Sequence, residues 1–226
     1  MRLARTIAIA LFFAAMPLMA HNVSKRDASF VASNQGTAVA PFLYLGAKHM
    51  VTGYDHLAFL VGVIFFLYRL KDVVQYVSLF TLGHSVTLLA GVLGGIHANS
   101  YVVDAIIGFS VVYKAFDNID GFKRFLGFEP NTKLAVLIFG LFHGFGLATK
   151  LQQLDLSKNG LVTNIVSFNV GVEVGQVLAL TAVLIALSYW RTQSGFLRHA
   201  FATNTALMAV GFALTGYQIA GYYLGP

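Results

Sequence analysis

The sequence predicts an all-α, polytopic membrane helix bundle in which six transmembrane helices follow a signal peptide. Three observations carry that reading. Of the 226 residues, 57% are hydrophobic and only 11% are charged, against about 25% charged in an ordinary soluble domain. Mean hydropathy is +0.72. The apolar residues gather in six runs, each reaching the roughly 20 residues that a helix needs to cross the hydrocarbon core.

The first element is a targeting segment. Residues 1–20 read MRLARTIAIALFFAAMPLMA. Arg2 and Arg5 form a short positive region, Thr6 to Met16 an apolar region, and Pro17, Leu18 and Ala20 resemble a cleavage region. That is the plan of a secretory signal peptide. Cleavage after Ala20 leaves His21 as the mature N-terminus. Residues 21–38 then read as a short periplasmic linker, and 39–226 as the transmembrane domain.

The six runs are placed at 40–68, 73–97, 100–119, 133–153, 161–190 and 200–224. Connections after the first, third and fifth carry Arg69 and Lys71; Lys123, Arg124 and Lys133; Arg191 and Arg198. The opposite side carries Lys25, Arg26, Lys150 and Lys158. Basic residues collect on the cytoplasmic side, so the chain is expected in the bacterial inner membrane with both mature termini in the periplasm. No basic run suggests nucleic-acid binding. The lipid bilayer is the expected surrounding, with a homo-oligomer or membrane partner possible. The run FTLGHSVTLL at 80–89 echoes FNVGVEVGQVL at 168–178, and His56 and His143 lie almost the same interval apart. Three runs per half would make a 3+3 inverted repeat, a recurring transporter plan.

Polar side chains inside such runs cost free energy and mark function by default. The first run holds His49, Gly53, Asp55 and His56 in HMVTGYDH. On one continuous helix, positions seven apart lie within about 20° of each other, which puts His49 and His56 on one face. Asp55 can ligate directly or orient an imidazole. The second run holds Thr81, His84 and Ser85; the third Asp104, Lys114, Asp117 and Asn118; the fourth His143 in GLFHGFGLA. In the fifth, Asn169, Glu173 and Gln176 form one polar stripe beside Gly171 and Gly175. With no cysteine in the chain, any metal is held by nitrogen or oxygen. Imidazole with carboxylate or amide oxygen suits nickel, cobalt, zinc, iron or copper.

The four motifs HMVTGYDH, FTLGHSVTL, GLFHGFGLA and FNVGVEVGQ, in that order between residue 42 and about residue 180, resemble the HupE/UreJ family of membrane proteins. That family carries a His-x5-Asp-His signature in its first span and is implicated in nickel uptake. His49, Asp55 and His56 match the signature; His84, His143, Asn169, Glu173 and Gln176 fall in the other motifs. Asp104 and Asp117 stand where the resemblance implies Glu. The resemblance implies a secondary permease, not an enzyme, whose transported substrate is a divalent metal ion, nickel first. His49, Asp55, His56, His84, His143, Asn169 and Glu173 are the expected ligands. Gln176, Asp104, Asp117, Asn118, Thr81 and Ser85 would line the path or support it. No GxxxxGK[ST] loop for nucleotide phosphates is present. Two other classes compete: a metal-binding partner or sensor subunit, and a His/carboxylate metalloenzyme.

Overall fold

A computed structural model describes residues 29–31, 33, 36–153 and 157–225. The expected signal peptide and His21 lie outside the described residues. Those residues form helices and no strands. The elements are α1 (Val39–Thr52), α2 (Tyr54–Ile64), α3 (Leu70–Gly94), α4 (Ser100–Asn118), α5 (Thr132–Gln152), α6 (Leu161–Arg191) and α7 (Phe196–Leu224). A π turn, Phe122–Leu126, lies between α4 and α5.

Three helices, α3, α5 and α6, are long and apolar enough to cross a membrane. At about 1.5 Å per residue, the 31 residues of α6 extend well past the roughly 30 Å hydrocarbon layer. The first expected run departs from a single continuous helix. It is cut at Gly53, which sits at φ −77° and ψ 86° between α1 and α2. The face shared by positions seven apart therefore cannot be read from one helical wheel.

Part of the expected linker is structured. Ser29, Phe30, Val31 and Ser33 are helical, and Val31 is buried in the hydrophobic core. The chain just before α1 is tied to α6: Asn164 Oδ1 accepts from the Ala38 amide at 2.7 Å, and Asn164 Nδ2 donates to the Gly36 carbonyl at 2.9 Å.

The helices pack chiefly as three pairs, α1 with α6, α3 with α5 and α4 with α7, and α2 inserts between them against α4. All three pairs are glycine-clamped, α4 with α7 through Gly108 and Gly211 against the Thr215 and Val112 backbone. Gly171 and Gly175 of α6 lie directly beneath the Leu43 and Ala47 carbonyls of α1. Gly140 and Gly144 of α5 lie beneath the Phe80 and His84 carbonyls of α3. A Cβ at any of these positions would collide with backbone. Where lipid tails are as apolar as the side chains, such close backbone approach supplies much of the association. Phe42, Met50, Phe59, Leu60, Phe80 and Leu88 fill the space between the pairs.

A histidine cluster at the helix break

The break at Gly53 shapes the centre of the bundle. Its amide donates to the His49 carbonyl at 2.8 Å and closes α1; its carbonyl accepts from the Leu57 amide at 3.0 Å and opens α2. Asp55 then falls in the first turn of α2, where helix amides favour a negative charge. Asp55 Oδ1 accepts from the His56 amide at 2.9 Å and meets His56 Nδ1 at 3.1 Å. At its far end α2 is capped by Arg191, whose guanidinium donates to the Ile64 and Phe65 carbonyls at 2.7 Å each.

Around His56 gather three further imidazoles. Ring centres lie 4.7 Å from His143, 5.4 Å from His49 and 5.9 Å from His84. The four rings come from α1, α2, α3 and α5. His56 and His143 are fully buried, and His84 nearly so. Aromatic side chains wall the cluster: Phe80 is 4.9 Å and Phe59 5.4 Å from the His143 ring, and Phe168 is 6.1 Å from His49.

Hydrogen bonding selects the tautomers. His143 Nδ1 lies 2.7 Å from the Phe139 carbonyl. A carbonyl only accepts, so Nδ1 carries the proton and the lone pair resides on Nε2. The Asp55 carboxylate imposes the same choice on His56. A ring nitrogen held by a carboxylate or carbonyl with the other nitrogen presented is the usual arrangement of a metal-ligating histidine. His84 Nε2, His143 Nε2 and Asn169 Oδ1 are buried with no hydrogen-bond partner among the described residues, and Asn169 faces His84. Leaving such a group unmatched costs about 1–3 kcal/mol. Two rings sharing one ion at nitrogen distances of roughly 2.1 Å stand about 5 Å centre to centre, close to the His56–His143 separation. No group of three or more His, Asp or Glu among the described residues forms a ready-made cage. Holding a metal ion here would require the rings to turn toward a common point.

The expected site residues divide. His49, Asp55, His56, His84, His143 and Asn169 come together. Glu173 does not join them: it is exposed on the outer flank of α6. Gln176 is buried and donates to Thr81 Oγ1 at 2.9 Å. Ser85 Oγ is buried with no hydrogen-bond partner among the described residues. Asp104 is buried and paired with Lys150 at 2.9 Å. Asp117 pairs with Lys114 at 2.5 Å, and Asn118 donates to the Gly62 carbonyl and to Asn204, both at 2.8 Å. These last groups stand outside the ring cluster. Sequence reasoning missed Lys150, Arg191 and Asn204. Lys150 was legible as a cation within the fourth apolar run, but Arg191 and Asn204 act on backbone and side chains far away in sequence.

A family model described as HupE / UreJ protein matches residues 25–225. No curated protein and no solved structure matches the chain. With nearly the whole chain matched, and with imidazoles converging on the motifs that carry the resemblance, the chain belongs to the HupE/UreJ family of membrane proteins, which is related to nickel and cobalt transport.

Proposed function

We propose that the chain is a secondary permease that imports a divalent transition metal, nickel first, across the bacterial inner membrane. The observation that carries this reading is the convergence of His49, His84 and His143 on His56 from three other helices. The ion binds among these rings, with Asp55 fixing the His56 tautomer and Asn169 offering an oxygen beside His84. The phenylalanine wall displaces the hydration shell, so nitrogen donors replace water one by one. Imidazole suits nickel, cobalt, zinc and copper better than it suits magnesium or calcium. Inward movement of two charges gains roughly 4.6 kcal/mol per 100 mV of membrane potential.

In this reading α1 with α2, then α3, α4, α5, α6 and α7, make six crossings, and both mature termini face the periplasm. The halves form an inverted repeat, (α1, α2), α3, α4 against α5, α6, α7. The helix pairing supports it: exchanging the halves turns α1–α6 into α5–α3 and leaves α4–α7 unchanged. A span broken at its binding residues is a further transporter trait.

The test is uptake into proteoliposomes from a panel of nickel, cobalt, zinc, iron and copper. His56→Ala and His143→Ala are each expected to lower uptake of the preferred ion by at least about 10–100-fold, with unchanged elution in detergent. Uptake equal to wild type by both variants would remove the cluster from the pathway.

A further inference from the structure

Resting on the permease reading, we infer that the seam between α3 and α6 is the gate through which the divalent cation reaches the histidine cluster, and that Glu173 at its outer lip captures the ion.

The three strong helix pairs leave α3 and α6 in only slight contact. The α1–α6 and α3–α5 contacts are backbone against glycine, so neither pair can part without losing close packing along its length. The α3–α6 contact has no glycine set against the facing backbone among the described residues. It is bridged by a side-chain hydrogen bond, Gln176 Nε2 to Thr81 Oγ1 at 2.9 Å. Such a bond is exchanged for water at little net cost.

The α6 side of the seam carries a polar stripe. At 100° per residue, Asn169, Glu173 and Gln176 cover about 60° of the α6 surface. Gln176 and Asn169 are buried, and Glu173 is exposed. Glu173 therefore stands on the edge of the stripe, at the rim of the seam. Its exposed neighbours on α6 are Val170, Val174, Val177 and Leu178, a surface suited to lipid. A carboxylate in that company is costly unless water or a cation reaches it.

Helices α3 and α6 also carry buried oxygen and nitrogen groups. Ser85 Oγ, Asn169 Oδ1 and His84 Nε2 are each buried with no hydrogen-bond partner among the described residues. Asn169 faces His84, and His84 touches His56. A cation passing from Glu173 to His56 exchanges oxygen donors for imidazole nitrogen, in the direction of tighter transition-metal binding.

The chain has no cysteine, so introduced thiols react alone. The experiment places the Thr81→Cys, Gln176→Cys double variant in proteoliposomes and joins the thiols with a short reducible bis-thiol reagent. Nickel uptake is then compared before cross-linking, after it, and after reduction. Uptake is expected to fall at least about tenfold on cross-linking and to return on reduction, as when a motion required for each turnover is blocked. Thr87→Cys, Leu141→Cys, joined across the clamped α3–α5 seam, should show no dependence on cross-linking. In parallel, Glu173→Gln should raise the nickel concentration for half-maximal uptake about tenfold, the loss of one charged contact, with the maximal rate within about twofold. Glu173→Asp should recover part of the loss. Undiminished uptake by the cross-linked α3–α6 variant, or an unchanged half-saturation in Glu173→Gln, would overturn the gate. Absence of uptake of any divalent ion by the wild-type chain would instead remove the permease reading itself, and the gate with it.

Discussion

Two buried polar clusters share this bundle and differ in one respect. Around Asn118 the groups are matched. Its amide donates to the Gly62 carbonyl and to Asn204 Oδ1, Asn204 donates to the Ala200 carbonyl at 2.9 Å, and Lys114 meets Asp117. Around His56 the matching stops short: His84 Nε2, His143 Nε2 and Asn169 Oδ1 face inward with no hydrogen-bond partner among the described residues. Burial alone does not separate the two clusters, since Asn204 is as deeply enclosed as His143. The difference is completion. A finished network holds helices together, and an unfinished one is held in readiness for something else.

The comparison is sharpened by breaking each cluster in turn. The largest effect is expected from Asp55→Asn. The amide can offer its NH2 group to His56 Nδ1, which turns the ring to the wrong tautomer and removes the lone pair from Nε2. Nickel affinity measured by equilibrium dialysis should fall about 10–100-fold, while thermal stability in detergent changes little. Unaltered affinity would show that the carboxylate does not set the ring. Asn204→Ala should act the opposite way. It strips Asn118 of a buried acceptor and should lower stability by about 1–3 kcal/mol, read as an earlier thermal transition, with the ion preference of transport preserved. A changed metal preference in that variant would mean that the two clusters are not separate.

The smallest effect belongs to the exposed Lys123–Glu129 pair at 2.6 Å beside the π turn. The neighbouring ammonium holds the Glu129 carboxyl below its ordinary value, through the hydrogen bond first and the charge second. A lowered carboxyl contributes stability above its unfolded-state value and loses it as pH falls through the folded one. The expected loss is thus confined to the acid side. Both groups are solvent-exposed and screened. Glu129→Gln should leave uptake at neutral pH and the thermal transition unchanged, and a clear shift in either would show that this loop does more than connect helices.

The sequence spoke most clearly where composition alone decides. Helices α3, α5 and α6 follow from long apolar runs, and His49, Asp55, His56, His84 and His143 were legible because imidazole and carboxylate are rare and costly in such runs. The break at Gly53 was not legible, because glycine is common inside membrane helices and its backbone angles depend on what packs against it. The exposure of Glu173 was not legible for a related reason. Periodicity places it on one stripe with Asn169 and Gln176, but the edge of a stripe that is covered depends on how α3 crosses α6, and no local pattern encodes that. Asp104 was read as lining or supporting the path and Lys150 as a basic residue of the periplasmic side, yet they lock together across α4 and α5.

Arg191, which ends α6, grips the last carbonyls of α2, while α1 is clamped to the same α6 by glycines. These contacts tie α1 and the end of α2 to α6, as the glycines of α5 tie it to α3, while α2 also packs against α4. His49, His56 and Asn169 belong to the first group, His84 and His143 to the α3–α5 pair. In the proposed permease, sliding one group past the other would dismantle the coordination sphere in the same stroke, so that holding the cargo and letting it go would be two positions of a single mechanical joint.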